Sequence, residues 1–359
     1  MFQRLKLHAG LWLSQPRPGS SDVPFVVGWA LGLLLMLILP HCVAPYALST
    51  VRDALVMGLL ALSYDLLWGK AGVLTLGHTT FLGLGAYGFA VATMHFGLAP
   101  VSAILIGMLC AGTVAAALGY FLLYAGVRLH FFAIVSMAVL IIAQQLATSW
   151  QSVTGGDTGI LGIPGLSSTF AGHSLDLSSP LRSWYAVAAV VLATACLTWL
   201  ACRSRYGKVL AAIATNEWRA RACGYHTSFH LLRLFVISAL LAALAGCLMA
   251  ACSGVVAPDV FSPLLATEVI LWVAVGARGT IGGPVIAAVT FTLLKQRISS
   301  YSTELWPLLL GALFLGCVLF LPNGLRFRRV VINLRWVWRA MAARRALPGR
   351  AVREEGSNG

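Results

Sequence analysis

Two acidic residues, Asp65 and Glu268, lie within long apolar runs and are the first candidates for chemistry in this sequence. An ionisable side chain at membrane depth costs at least about 2.5 kcal/mol and usually faces a bundle interior or a water-filled cavity. Such a carboxylate could bind a proton or a cation. Two simpler interpretations stay open: Asp65 could pair with Lys70, and Glu268 could be wetted from outside or cap the start of its helix, where a negative charge is favoured.

No catalytic set accompanies these two carboxylates in the sequence. Gly-Lys pairs begin at Gly69 and Gly207, but neither has the spacing of a phosphate-binding loop, and the zinc-protease and serine-hydrolase signatures are absent. The eight cysteines are scattered without a CxxC pair, which is typical of small buried apolar residues. We therefore predict a chain that is not an enzyme and that binds no metal or other cofactor itself.

The composition indicates a membrane protein with many spans. Of 359 residues, 59% are hydrophobic and 10% are charged, whereas a soluble domain typically has about 25% charged residues. The fold class is predicted to be all-α, because about 20 apolar residues form a helix that spans the roughly 30 Å hydrocarbon core. Ten apolar runs are candidate transmembrane helices, several of them short: residues 24–40, 51–68, 79–95, 99–124, 130–149, 183–202, 232–253, 265–277, 281–295 and 305–322.

The net charge of +14 would also fit a nucleic-acid-binding protein, but the positions of the basic residues give another explanation. With the N-terminus inside and ten spans, 21 of the 25 Lys and Arg residues lie on the inner side, as the positive-inside rule leads one to expect. We therefore predict no nucleic-acid partner and place both termini in the cytoplasm. The predicted segments are a cytoplasmic leader at 1–23, a transmembrane domain at 24–325 with an inner loop at 203–231 and an outer loop at 151–181, and a basic cytoplasmic tail at 326–359 that could contact membrane lipid.

Two glycine-rich blocks, Gly69–Tyr87 and Val275–Pro284, interrupt the apolar pattern, one in each half of the chain. Paired short segments interrupted by Gly or Pro point to internal repeats and to a transport pathway. Tight helix packing would also explain any single glycine, and a lone histidine is more often structural than a ligand. Together with the two carboxylates in apolar runs, the candidate pathway residues are Asp65, Gly77, His78, Thr79, Gly83, Gly85, Glu268, Gly276 and Gly279.

A short helix is predicted inside the inner loop. Asn216 or Thr215 can cap its N-terminus. Glu217 adds a negative charge to the first turn, and Gly224 ends the helix. A capped, exposed helix between two spans resembles a docking element. The alternative is a solvated basic loop, which explains the arginines but not the caps.

Five segments resemble signatures of one family, the permease subunits of ABC importers for branched-chain amino acids and related amides, including the urea-type systems. The longest, residues 61–87, contains GKAGVLTLGHTTFLGLGAY and is similar to the family pattern GxAGxLSLGHxxFxGxGAY, with Thr75 in place of the Ser. The other four segments are residues 131–138, 153–159, 268–284 and 321–325. The block of the inner loop that contains Asn216-Glu217 and Gly224-Tyr225 also looks like the ATPase-coupling loop of this family. Asp65, Trp68 and Trp272 look more like the urea or short-amide subgroup than the amino-acid subgroup.

The resemblance implies a permease subunit that forms half of the translocation pathway for a small polar solute, either urea or a short amide or a branched-chain amino acid. The implied partners are a paralogous permease subunit, two cytosolic ATPase subunits that hydrolyse the ATP, and a periplasmic or extracellular solute-binding protein, all at a bacterial inner membrane. By the same resemblance Trp272 joins the pathway residues. The implied ATPase-coupling residues are Asn216, Glu217, Ala220 and Gly224.

A different class stays open as the alternative. An ion-coupled secondary transporter would use broken helices in the same way and would bind its coupling ion at Asp65 or Glu268. The capped helix in the inner loop argues against this class, because a secondary transporter has no ATPase to dock. A membrane enzyme is disfavoured because the sequence has no catalytic constellation.

Overall fold

The computed structural model describes residues 23–125, 129–165, 167–170, 173–176, 179–302 and 305–320. The predicted leader before residue 23, the signature at 321–325 and the predicted basic tail lie outside the described residues. The chain forms thirteen α-helices within the described ranges. They are α1 (Val23–Cys42), α2 (Pro45–Ala71), α3 (Thr79–Met94), α4 (Pro100–Tyr124), α5 (Leu129–Ser149), α6 (Gln151–Thr154), α7 (Pro180–Arg203), α8 (Arg205–Thr215), α9 (Glu217–Ala222), α10 (Thr227–Ser253), α11 (Pro263–Val275), α12 (Gly282–Ser299) and α13 (Leu305–Phe320).

Each of the ten predicted spans corresponds to one of these helices, namely α1 to α5, α7 and α10 to α13. Among the described residues, five helices (α2, α4, α5, α7 and α10) are long and apolar enough to cross a membrane. Helices α3, α11 and α13 are shorter and also apolar. The prediction of an all-α protein with many membrane spans is confirmed.

Local sequence explains where several of these helices begin and end. Helices α2, α4, α7 and α11 each begin at a proline, whose missing N–H group is not needed in the first turn. Helices α2 and α10 end at Gly72 and Gly254, which have φ angles of +76° and +71°. Each glycine donates its N–H to a carbonyl of the last turn, so a left-handed residue satisfies the helix end.

Four short strands lie outside the helices: β1 (Ile160–Leu161), β2 (Ser167–Phe170), β3 (His173–Asp176) and β4 (Val255–Val256). Strand β1 pairs antiparallel with β4, with Ile160 opposite Val256. Strand β2 pairs antiparallel with β3, with Ser167 opposite Asp176. The pairing of β1 with β4 ties the predicted outer loop to the segment that follows α10.

Helix α10 lies at the centre of the bundle, where it packs against α2, α3 and α4. Its crossing with α3 is close because both helices carry glycine there. A Cβ atom added to Gly246 would overlap the carbonyl of Leu82, and one added to Gly85 would overlap the backbone of Ala243. Small residues of this kind allow two helix backbones to approach in a membrane. The outward faces of α4, α5 and α7 instead carry exposed apolar side chains, such as Leu109, Ile142 and Leu197.

Candidate functional site

The first irregular segment, residues 72–78, connects α2 to α3 and is largely enclosed by the bundle. The Tyr64 hydroxyl donates a hydrogen bond to the Thr75 carbonyl at 2.9 Å. The Gly77 N–H donates to the Ser136 hydroxyl oxygen on α5 at 3.3 Å. Irregular backbone at membrane depth is tolerated only where protein or a water-filled cavity satisfies its polar groups. Side chains of α2 and α5 therefore stabilise this first break.

His78, at the end of the same break, is almost fully buried. Its Nε2 atom forms a hydrogen bond with the Ser63 hydroxyl at 2.9 Å. Three polar atoms at the start of α3 have no hydrogen-bond partner among the residues that the structure describes: Nδ1 of His78 and the hydroxyls of Thr79 and Thr80. Most buried polar groups are paired, so these atoms are candidates for contact with water or a solute. Their role in a pathway stays a prediction.

The second irregular segment, residues 276–281, connects α11 to α12. Ala277 and Gly279 have left-handed φ angles of 68° and 83°. Gly276 and Gly283 approach so closely that a Cβ atom on either would overlap the backbone of the other. The glycines of the second block therefore permit a tight turn that larger residues would prevent.

The second break meets the C-terminal end of α2, the helix that precedes the first break, at Gly279. The Gly279 N–H donates to Oδ1 of Asp65 at 2.6 Å. The Lys70 ammonium donates to the Gly279 carbonyl at 2.7 Å. Asp65 and Lys70 thus share a backbone partner, instead of forming the direct ion pair that the sequence left open. Asp65 and Gly279 are the two predicted pathway residues from opposite halves that the structure brings into contact.

Other predicted pathway residues occupy packing positions within this chain. Gly83 lies against the Phe261 ring, and Gly85 lies against α10 at Ala243. Trp272 is 1% exposed, and its indole N–H has no hydrogen-bond partner among the described residues. Tight packing is therefore a sufficient reason for glycine at positions 83 and 85, and their role in a pathway stays a prediction.

Glu268 is a buried carboxylate with two partners. The Lys295 ammonium lies 2.8 Å from Oε1 of Glu268, and the Trp306 indole N–H donates to the same oxygen at 2.7 Å. The interpretation of Glu268 as the helix cap is wrong, because α11 begins earlier and its cap is Ser262, whose hydroxyl accepts the Leu265 N–H. Glu268 instead joins α11 to α12 and α13.

We expect Glu268→Gln to lower the free energy of unfolding by about 1.5–3 kcal/mol, the usual contribution of hydrogen bonds to a charged group. The amide loses the charge that faces Lys295, and its oxygen accepts both hydrogen bonds more weakly. The loss of stability is measured as a decrease in the midpoint temperature of thermal unfolding of the detergent-solubilised protein. Asp157→Asn, at an exposed carboxylate of the outer loop, is the matched control and should stay within about 0.5 kcal/mol of the wild type. Equal midpoints for the two variants would contradict the role given to Glu268.

The short helix of the inner loop begins as the sequence predicts. The Asn216 side-chain oxygen accepts the Arg219 N–H at 2.9 Å, so the cap is Asn216. The Thr215 hydroxyl donates to the carbonyl of Ala211 in the preceding helix. After α9, Gly224 adopts a φ angle of +85°. Both predicted ends of the helix are confirmed, with Asn216 chosen over Thr215.

Glu217 ties α9 to the start of α10. Its Oε1 accepts from the Arg221 guanidinium at 2.7 Å and from the Thr227 hydroxyl at 3.0 Å. The Arg221 Nε in turn donates to the Thr227 hydroxyl oxygen at 2.8 Å. Ala220 is buried on the same short helix. Glu217 and Ala220 therefore fix the position of α9 on the bundle.

Helix α8 is fixed to the bundle by its own apolar face. Leu210 and Ile213 are buried, and the Tyr206 hydroxyl donates to the His230 carbonyl at 2.9 Å. Burial raises the pKa of the Tyr206 phenol above its ordinary value, and the nearby Arg233 guanidinium partly offsets this. The phenol therefore keeps its proton and the hydrogen bond to α10 at neutral pH.

Trp218 is the surface residue of this segment that sequence reasoning missed. It is 85% exposed and lies beside the exposed Arg219 on α9. An open groove of about 620 Å³ follows α9 and is lined by Tyr124, Arg221 and residues 224–229. Exposed Trp and Arg are enriched at protein interfaces. A tryptophan two residues after the cap Asn216, between the charged residues Glu217 and Arg219, is the sequence signal that could have identified Trp218.

Comparisons with known proteins place these features in a family. The sequence model described as "Branched-chain amino acid transport system / permease component" matches residues 46–318. The chain belongs to this family. The high-affinity branched-chain amino acid transport system permease protein LivM of Salmonella typhimurium is 28% identical over 348 residues, covering 90% of this chain and 80% of the relative. LivM of Escherichia coli is 29% identical over 315 residues, covering 82% and 73%.

As a member of this family, the chain is a membrane-embedded permease subunit of an ABC importer of the branched-chain amino acid type. The matched range includes both irregular segments, the contacts at Gly279 and the whole inner loop. The family resemblance found in the sequence motifs is thus confirmed. The family is one of transport subunits, which agrees with the lack of a catalytic set in the sequence.

Proposed function

We propose that this chain forms one half of the translocation pathway of an ABC importer that carries a branched-chain amino acid across a bacterial inner membrane. The observation that carries the proposal is the family match over residues 46–318, together with the two LivM relatives. Both relatives are described as parts of high-affinity branched-chain amino acid transport systems. A second permease subunit completes the pathway.

The remaining proposed partners bind on the two sides of the membrane. Two cytosolic ATPase subunits dock on the coupling helices of the two permeases, and in this chain the docking helix is α9, which presents Trp218 and Arg219 to the solvent. A solute-binding protein delivers the amino acid on the other side, beside the loop that carries β1. Both termini lie in the cytoplasm, which the distribution of basic residues supports. This chain binds no cofactor, because ATP is bound and hydrolysed by the partner subunits.

A urea or short-amide substrate is less well supported. The residues that look like the amide subgroup have structural contacts that account for them. Asp65 accepts the Gly279 N–H, the Trp68 ring lies under the Arg278 guanidinium at 4.8 Å, and Trp272 is buried. These three residues therefore have roles in the packing of the bundle, and none of the roles requires an amide solute.

An ion-coupled secondary transporter is also less well supported. Its coupling ion would need a buried carboxylate that is open to the ion. Asp65 is bound to the backbone at Gly279, and Glu268 is bound to Lys295 and Trp306. Each carboxylate therefore already accepts hydrogen bonds from other parts of this chain.

The test uses the complete complex of both permeases and both ATPases, reconstituted in vesicles with the solute-binding protein. We expect uptake of radiolabelled leucine, isoleucine or valine that needs hydrolysable ATP and persists with proton and sodium ionophores. Radiolabelled urea is the competing solute. Uptake of urea without uptake of the three amino acids would overturn the proposed substrate. Uptake that persists without ATP and collapses with an ionophore would overturn the importer itself.

A further inference from the structure

We propose that Asp65 and Lys70 are positioning residues that hold the turn between α11 and α12, so that this helix pair moves together with the inner end of α2 during transport. The inference rests on the proposed function, because it concerns how motion at the ATPase reaches the pathway. It assigns a task to two charged side chains of α2 that lie 214 and 209 residues away from the turn they bind.

Both backbone polar groups of Gly279 are occupied by side chains from α2. The N–H is bound by the Asp65 carboxylate at 2.6 Å, and the carbonyl is bound by the Lys70 ammonium at 2.7 Å. Asp65 is 1% exposed. Charge-assisted hydrogen bonds are roughly twice as strong as neutral ones, and loss of either would leave a polar group of the turn without that partner. The two bonds fix both the position and the rotation of the turn.

The turn needs such external support because of its backbone conformation. Ala277 has a φ angle of 68°, and Gly279 one of 83°. A non-glycine residue in the left-handed region persists only where its surroundings hold it there. On α2, a Cβ atom at Gly69 would overlap the Asp65 carboxylate and lie 2.6 Å from the Gly279 nitrogen. Glycine at position 69 therefore lets the turn come within reach of Asp65.

The same end of α2 also contacts the inner loop. Helix α8 packs against α2 and α7, with Leu210 and Ile213 in the same apolar core as Leu66 and Leu67. Helix α9 packs against α8 in turn. A displacement of α9 by an ATPase therefore reaches α2 through packed side chains, and the contacts at Gly279 pass it on to α11 and α12.

The experiment measures the number of solute molecules imported per ATP hydrolysed, in the complete reconstituted complex. We expect Asp65→Ala to lower this ratio about 10-fold, because the Gly279 N–H loses its acceptor, while ATP hydrolysis continues. Asp65→Asn should keep more than about half of the wild-type ratio, because the amide oxygen can still accept that N–H. Thr290→Ala, which removes an exposed hydroxyl that donates to the Ile286 carbonyl of its own helix α12, is the matched control and should match the wild type.

A wild-type ratio in assembled Asp65→Ala complexes would overturn the proposal. So would an assembled Asp65→Asn complex that is as defective as Asp65→Ala, because the hydrogen-bond acceptor would then not be the property that matters. If Asp65→Ala fails to assemble, Lys70→Met tests the carbonyl contact at a partly exposed position, and its ratio should fall about 3- to 10-fold. A wild-type ratio for Lys70→Met would then overturn the proposal. A wild-type complex without ATP-driven uptake would instead overturn the proposed function.

Discussion

A leucine at Gly246 should prevent the protein from accumulating in the membrane in a folded form. Gly246 lies on α10 where a Cβ atom would overlap the Leu82 carbonyl and lie 2.9 Å from the Ala86 nitrogen. Because both obstacles are backbone atoms, no side-chain rotation relieves the overlap, and α3 must separate from α10. Overpacking against side chains costs about 1–3 kcal/mol. Separation of two central helices should cost an amount comparable to the whole stability of about 5–15 kcal/mol.

The measurement is the yield of monodisperse protein after gentle detergent extraction, followed by fluorescence-detected size exclusion. Gly311→Leu is the matched control, because a Cβ atom at Gly311 on α13 has nothing within 4 Å. We expect that variant to accumulate like the wild type. Equal monodisperse yields for the two leucine variants would show that the close crossing of α3 and α10 is not required for folding.

The glycines show where reading the sequence succeeds and where it stops. The sequence located both glycine-rich blocks, but it could not separate glycines that end helices from glycines that allow helices to pack. Gly72 and Gly279 adopt left-handed conformations, whereas Gly85 lies inside α3 and faces Ala243. The difference depends on which distant helix lies opposite each glycine, and that information is not local.

The buried carboxylates illustrate the same limit. Hydropathy predicted the helices well, because the bilayer fixes the number of apolar residues that a span requires. The sequence offers Lys70, five residues further along α2, as the partner of Asp65. In the structure, Asp65 instead accepts a hydrogen bond from the backbone N–H of Gly279, in the other half of the chain. Partners of Glu268 on α12 and α13 were likewise beyond any local pattern.

In the inner loop, the two ends of the short helix α9 could be predicted from the neighbouring residues alone. Helix capping depends on residues three or four apart, so the sequence limits the cap to Asn216 or Thr215 and assigns Gly224 to the end of the helix. The inward direction of Glu217, toward Thr227, required the position of α10. Exposure of Trp218 also required the packed structure, because the helix could have presented another face to the bundle.

Trp218→Ala should weaken binding of the ATPase subunits to the permease pair about 30-fold or more, the usual effect of removing a tryptophan at the centre of an interface. The side chain is 85% exposed, so its removal leaves no cavity and should not change the stability of this chain. Helix α9 keeps its cap at Asn216 and its contacts through Glu217. The measurement is the dissociation constant of the purified ATPase for permeases in lipid nanodiscs.

Trp150→Ala is the matched control for this prediction. Trp150 is 52% exposed and lies at the end of α5, on the side predicted to face away from the cytoplasm. We expect its replacement to leave ATPase binding unchanged. The alternative role for the exposed Trp218 ring is that of a membrane anchor, since Trp is enriched where a membrane meets water. In that case Trp218→Ala would leave the dissociation constant unchanged, and the docking surface would have to lie elsewhere on the inner loop.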